Sequence, residues 1–242
     1  MLEYPTITNS APRILLINIP FDSTKTAQSQ GPRAQKVERV RLDILTAAQE
    51  EFAVHGYQGT RMQSIADRAG LPKANVHYYF NNKSSLYLAV LDDIVGRWNN
   101  FFSDFNREDD PAVLIDEFVR EKIRFSFQEP SASRLFANEI IQGAPQLANH
   151  IKLEIRPYVL ARASAIQQWV DEGKMAVVEP MQLIFLIWSV TQHYADFQAQ
   201  ILLVSNQKTY SKRFIQQTSD FLSDFVLRGC GLTPPARDEP AS

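Results

Sequence analysis

The stretch from Gly59 to Leu86, GTRMQSIADRAGLPKANVHYYFNNKSSL, constrains the fold more than any other part of the chain. Its spacing predicts two short helices joined by a tight turn, with a third starting at once. Thr60 and Gln63 stand three apart, as in a capping box, in which hydroxyl and amide each satisfy an exposed backbone N–H. Ile65, Ala66 and Ala69 form the apolar stripe of a short amphipathic helix. Gly70 supplies the left-handed residue that stops it, and Pro72 suits the first turn of the next helix. That second helix, Pro72 to Tyr79, carries Lys73, Asn75, His77 and Tyr78, all able to hydrogen-bond to DNA. This is the pattern of a helix-turn-helix, whose second helix enters a major groove.

The rest of the chain fits an all-α protein: glycine is scarce, and long stretches keep a 3.6-residue apolar period. Val37, Val40, Ile44, Leu45, Ala48 and Phe52 mark one face of a first helix, which Gly56 ends. Asn82 can cap a connecting helix that runs towards Trp98. Further helices are expected from Pro111 to about Gln128, Ser131 to Gln142, Gln146 to Glu172, Pro180 to Val204 and Tyr210 to Arg228. The domain plan is an N-terminal arm (1–32), a three-helix DNA-binding domain (33–81), a helical ligand-binding and dimerisation domain (82–230) and a disordered tail (231–242). The arm, with Pro5, Pro12, Pro20 and Pro32 among Ser, Thr and Gln, reads as flexible.

The net charge of −2 divides unevenly. Residues 33–83 hold eight Lys and Arg against five Asp and Glu, whereas residues 84–242 hold fifteen against twenty. A basic head on an acidic body suits a protein that meets phosphate at one end only. A single cysteine, Cys230, excludes an intrachain disulfide, and no Cys/His cluster points to a metal or a cofactor. No apolar run approaches the ~20 residues needed to cross a bilayer, so a cytoplasmic protein without a membrane partner is expected.

Thr60, Ile65-Ala66, Ala69-Gly70, Tyr79-Phe80, Lys83 and Leu86 together resemble the TetR family of bacterial regulators. Further along, residues 130–136, Gly143-Ala144-Pro145 and the run from Ile187-Trp188 to Phe197 are similar to the RutR-like regulators of pyrimidine utilisation within that family. The resemblance implies a transcriptional regulator, not an enzyme. It implies a homodimer on a palindromic operator, most simply a repressor released by a pyrimidine such as uracil, thymine or a reduced derivative. Lys73, Asn75, His77 and Tyr78 would lie near bases or flanking phosphates. Thr60, Gln63, Lys83, Arg33 and Lys36 would contact the DNA backbone. Trp98, Trp188 and Gln192 would line the effector site, with Asn138 and Tyr158 as further candidates.

The chemistry of those residue types agrees. Trp188 and Gln192 lie four apart on one helix face. An indole stacks on a flat pyrimidine, and a carboxamide pairs donor and acceptor with an imide edge. The broad apolar face of the last helix (Phe214, Thr218, Phe221, Leu222, Phe225) and the apolar segment Leu183 to Trp188 suit a symmetric four-helix interface between two copies. A rival reading from another class makes His193, Asp196 and Glu139 a catalytic or metal-binding set in a helical enzyme.

Overall fold

The computed structural model describes residues 31–100 and 109–236, and among them every regular element is helical. The arm's Arg13, Lys25 and Ile14-Leu15-Leu16-Ile17, and the tail beyond Ala236, lie outside the described residues. Two compact units divide at Leu42/Asp43. In the first, Arg33 and Lys36 are exposed, and Arg41 donates to Glu38 one turn earlier.

The first helix, α1 (Pro32–Gly59), is broken at Gly56, where φ is +66°. That conformation is open to glycine and strained for other residues. The helix-turn-helix follows as α2 (Met62–Ala69) and α3 (Lys73–Tyr79), and α4 (Lys83–Asn100) leads away from it. Gly70 is left-handed (φ +66°, ψ +28°), and the Leu71 N–H returns to Ala66 O at 3.0 Å, closing α2. Ile44, Ala48 and Phe52 of α1, Ile65 and Ala66 of α2, Val76 of α3, Phe80, and Leu86 and Leu91 of α4 are all buried together as the core of this head.

The capping box expected at Thr60 and Gln63 does not form. Arg61 is the N-cap of α2 and makes no side-chain cap. Thr60 is 2% exposed, and its hydroxyl donates backwards to Glu51 O (3.1 Å) and Gly56 O (2.8 Å). The positive φ at Gly56 leaves the end of α1 as the nearer acceptor. Gln63 instead donates to Asp67 one turn on, at 2.7 Å. A reciprocal cap does form at α4, where Ser85 N donates to Asn82 Oδ1 (2.8 Å) and Asn82 N donates to Ser85 Oγ (3.2 Å).

The body begins with α5 (Pro111–Gln128), capped by Asp110 Oδ1 accepting from Ala112 N at 2.8 Å. Helix α6 (Pro130–Ile141) ends at Gly143 and Ala144, both at positive φ. The segment expected as one long helix is a short α7 (Ala148–His150), a π-helical stretch (Ile151–Ile155) and α8 (Arg156–Asp171). Pro157, which has no N–H to donate, sits just beyond the widened turn. The helix expected from Pro180 to Val204 is likewise two, α9 (Pro180–Asp196) and α10 (Gln198–Val204), parted at Phe197 (φ −112°, ψ 29°). Helix α11 (Lys212–Gly229) closes the body, with the buried Cys230 as its C-cap and burial pushing that thiol up to about 11.

Helix α5 is central, packing against both α9 and α11. Ile115, Val119 and Ile123 of α5, Leu183, Ile184 and Ile187 of α9 and Trp169 of α8 are all buried. Arg120 of α5 pairs with Asp116 and with Asp220 of α11, both at 2.9 Å, fixing how α11 lies.

Candidate functional site: a DNA-reading head and an effector cavity

On the head, Lys73, Asn75, His77 and Tyr78 are exposed along α3, Tyr78 to 83%. Val76 faces inward between them and anchors the helix. Among the described residues the side chains of Lys73 and Asn75 have no protein partner. His77 Nδ1 lies 3.2 Å from Asn81 O, so the neutral ring carries its proton there and turns Nε2 outward. Arg68 is held back by Glu50 and Glu51, each at 2.7 Å.

Lys83, expected as a phosphate clamp, is placed otherwise. Its Nζ donates to Tyr57 O (2.8 Å), Thr60 O (3.1 Å) and Gln58 O (3.4 Å) and lies 4.7 Å from the centre of the Tyr57 ring. An ammonium has three hydrogens, and the unpaired carbonyls at the end of α1 take all of them. The cation locks α4 to the terminus of α1, where the helix dipole favours it. Lys83→Met is therefore expected to lower stability by about 1–2 kcal/mol. The slope of log K against log salt should change by much less than the ~0.9 given by one lost phosphate contact. Salt-dependent fluorescence anisotropy beside a thermal melt checks this, and a change near 0.9 with an unaltered melt would restore the clamp. Thr60, with its hydroxyl turned inward, likewise offers no side-chain donor to a phosphate.

The body contains a cavity of about 480 Å³, within the usual range for small-ligand sites. Helix α4 contributes Trp98, α5 Lys122, α6 Phe136 and Ile140, α8 Tyr158, and α9 Trp188, Gln192 and Asp196; Ile151 and Ile155 of the π-helical turn complete that side. Four of the five residues expected at an effector site, Trp98, Tyr158, Trp188 and Gln192, thus share one cavity wall. Asn138 does not. Phe136 and Ile140, one turn apart, face the cavity from α6, and Asn138, two residues from each, lies exposed on the other side of the helix.

Much of the cavity wall is aromatic. Trp98 meets Phe136 and Phe125 edge-on, with centroids at 4.6 and 5.6 Å. Burial pushes the Tyr158 hydroxyl up to about 12 against the opposing pull of Arg162, which lies 3.6 Å from its ring. The Gln192 carboxamide has no protein partner among the described residues. Ser133 Oγ donates to Asp196 Oδ1 at 2.6 Å, and burial raises that carboxyl despite this bond and the nearby Lys122, Arg134 and His193.

Sequence reasoning missed Lys122. It is 5% exposed, and burial drives its amine down to about 8 although Asp196 pulls the other way. Its Nζ sits 4.5 Å from the centre of the Trp98 ring. The signal was present: a lysine interrupting the apolar stripe Phe118, Val119, Ile123 and Phe125.

The catalytic or metal-binding set falls apart. His193 stacks on Phe197 with centroids at 5.0 Å and is exposed. Glu139, 2% exposed, accepts from Tyr87 OH (2.9 Å), Gln146 N (2.6 Å) and Leu147 N (3.2 Å). Among the described residues no group of three metal-ligating side chains is found, and no helix is long and apolar enough to cross a membrane.

Two family descriptions match the chain: bacterial regulatory proteins, tetR family, over residues 44–90, and YcdC-like protein, C-terminal region, over residues 91–233. The HTH-type transcriptional regulator RutR of Escherichia coli (strain K12) is 36% identical over 202 residues, covering 84% of this chain and 95% of that one. AibR, solved in complex with isovaleryl coenzyme A and operator DNA, shares the fold with a TM-score of 0.61 at 20% identity, over 82% of this chain and all of that one. FadR from Bacillus subtilis, solved with stearoyl-CoA, does so with a TM-score of 0.60 at 15% identity, over 78% and 98%. These relatives are transcriptional regulators rather than enzymes. With its helix-turn-helix head and helical body both matched, the chain belongs to the TetR family of DNA-binding transcriptional regulators.

Proposed function

We propose that the protein is a dimeric repressor of pyrimidine catabolism genes in the bacterial cytoplasm, released from a palindromic operator when uracil, thymine or a reduced pyrimidine enters the cavity. The observation that carries this reading is the convergence of Trp98, Tyr158, Trp188 and Gln192 on one cavity, with the Gln192 amide lacking a protein partner. An imide edge offers the alternating donor and acceptor that a carboxamide satisfies, and the indoles favour a flat ring.

Lys73, Asn75, His77 and Tyr78 read the groove in this proposal, while Gln63 and, in the first unit, Arg33 and Lys36 add backbone contacts. The dimer forms through the outer faces of α9 and α11. Phe185, Leu186, Phe221 and Phe225 stand 44%, 43%, 63% and 62% exposed in the single chain. Aromatic exposure on that scale suits burial against a second copy.

Helix α6 connects ligand to head. Beside the cavity residues Phe136 and Ile140, it bears Ser131, which accepts from Gln49 of α1 at 3.1 Å, and Glu139, which accepts from Tyr87 of α4. Tyr87 in turn packs edge-on to Phe52, with centroids at 4.8 Å. A ligand that shifts α6 therefore acts on two head helices at once. It weakens operator binding only by as much as its affinity differs between the two head arrangements.

Thermal-shift and gel-shift measurements with uracil, thymine and dihydrouracil test the proposal. Stabilisation of the protein and release of operator by at least one of them is expected, with Gln192→Ala abolishing both. Absence of either effect for all three removes the pyrimidine assignment.

A further inference from the structure

A flat neutral base leaves one group in the cavity unanswered. The Lys122 ammonium is 5% exposed and lines the wall, yet among the described residues it has no hydrogen-bond partner; only the Trp98 face lies against it, at 4.5 Å. Asp196 is the sole carboxylate among the described lining residues, and no ion pair within 4.0 Å joins it to Lys122. It is turned instead to Ser133 Oγ at 2.6 Å. Arg134, whose charge also bears on Asp196, donates to Ala195 O and Gln198 Oε1. Among the described residues, the polar end of the cavity thus holds a cation with three hydrogens and no acceptor.

Burying an ammonium without an acceptor is strongly unfavourable, and folded proteins rarely retain one except where something else completes it. A cation–π contact answers one side of the charge and none of its hydrogens. Of the other described lining residues, Val95, Phe136, Ile151 and Ile155 offer no acceptor and Asp196 is turned to Ser133, which leaves room for an acceptor that arrives with the ligand. At about 480 Å³ the cavity has room for a ring beside Trp188 and Gln192 together with a substituent reaching Lys122.

We infer that the effector is a small planar molecule bearing a carboxylate, and that Lys122 binds this carboxylate while Gln192 and the indoles hold the ring. The inference rests on the effector cavity proposed above and narrows its ligand from neutral bases to acids. Lys122 acts as the specificity determinant, choosing an acid over its uncharged parent.

The test is isothermal titration of the full-length protein with uracil, uracil-5-carboxylate, uracil-6-carboxylate and benzoate, repeated on Lys122→Met and Lys122→Arg. At least one uracil carboxylate is expected to bind ten-fold or more tighter than uracil to the unaltered protein. Lys122→Met should erase that difference, and Lys122→Arg should keep most of it. If uracil binds and neither carboxylate binds more tightly, the acid site falls while the pyrimidine reading stands. If benzoate binds in a Lys122-dependent way and no uracil compound binds, the pyrimidine reading falls while the acid site stands. No binding by any of the four overturns both. The comparison of ligands on the unaltered protein decides the matter even should Lys122→Met fail to fold.

Discussion

Glu139→Ala should lower the stability of the protein by about 3–5 kcal/mol, more than any other single truncation on α6. The carboxylate is 2% exposed and accepts three hydrogen bonds, from Tyr87 OH and from the backbone N–H groups of Gln146 and Leu147. Removing it leaves three buried donors without a partner, each worth about 1–3 kcal/mol, partly offset because a desolvated charge goes too. The acceptor also pulls on its neighbours: burial and the bond to Glu139 both raise the Tyr87 hydroxyl well above its ordinary range. In a chain of this size such a loss lowers the melting point by roughly 2–4 °C per kcal/mol. Tyr87→Phe removes one donor rather than the acceptor, so its cost should be near 1 kcal/mol. Urea denaturation of the two variants checks the order. Equal and small effects would mean that water or another group already serves these donors. Because Glu139 joins α4, α6 and the loop before α7, even a folded variant should release operator less completely on ligand addition.

The head was legible because its signals are local. Gly70, Pro72 and Asn82 each act within one turn of the residue that needs them. Gly70 stops α2 and Asn82 caps α4 as expected, while Pro72, expected in the first turn of α3, stands just before it as the N-cap. Thr60 and Lys83 were misplaced for a single reason. Both bond to backbone carbonyls near the end of α1, which the break at Gly56 brings within reach. The lysine's partners stand 23 to 26 residues earlier, a separation no pattern of period 3.6 can register. In the body, the break at Phe197 lies in a stretch without Gly or Pro, so nothing in the sequence marks it.

The effector cavity was legible in its aromatic members and not in its charge. Trp188 and Gln192 share a face by spacing alone, whereas Trp98 and Tyr158 reach them only through the packing of four helices. Lys122 could have been found by asking why a lysine interrupts the buried face of α5. Asn138 is set apart by the same periodicity, since Phe136 and Ile140 define the side of α6 that faces the cavity. Polar residues were weighed by type, and the face they occupy decides more.

Lys122→Met should raise the stability of the ligand-free protein by about 2–3 kcal/mol at pH 7. Burial brings the lysine's folded-state value down to about 8 from the ordinary 10.5, and each unit corresponds to 1.36 kcal/mol. The sign follows from proton binding. Below pH 8 both folded and unfolded chains carry the charge, and the folded state bears the full desolvation cost. Between 8 and 10.5 the unfolded chain holds more protons, so the native protein gains stability with rising pH until the difference disappears. The benefit of methionine is therefore greatest at neutral pH and fades across that window. The contact with Trp98, worth about 0.5–2 kcal/mol, trims it. Paired urea titrations at pH 7, 8.5 and 10 measure the difference directly, because Cys230 and the tyrosines titrate alike in both proteins. A variant less stable than its parent at pH 7 would mean that the ammonium is already compensated in the empty cavity, removing the physical ground for a carboxylate ligand. A more stable variant that no longer responds to acids would place Lys122 among residues kept for binding at the expense of the fold.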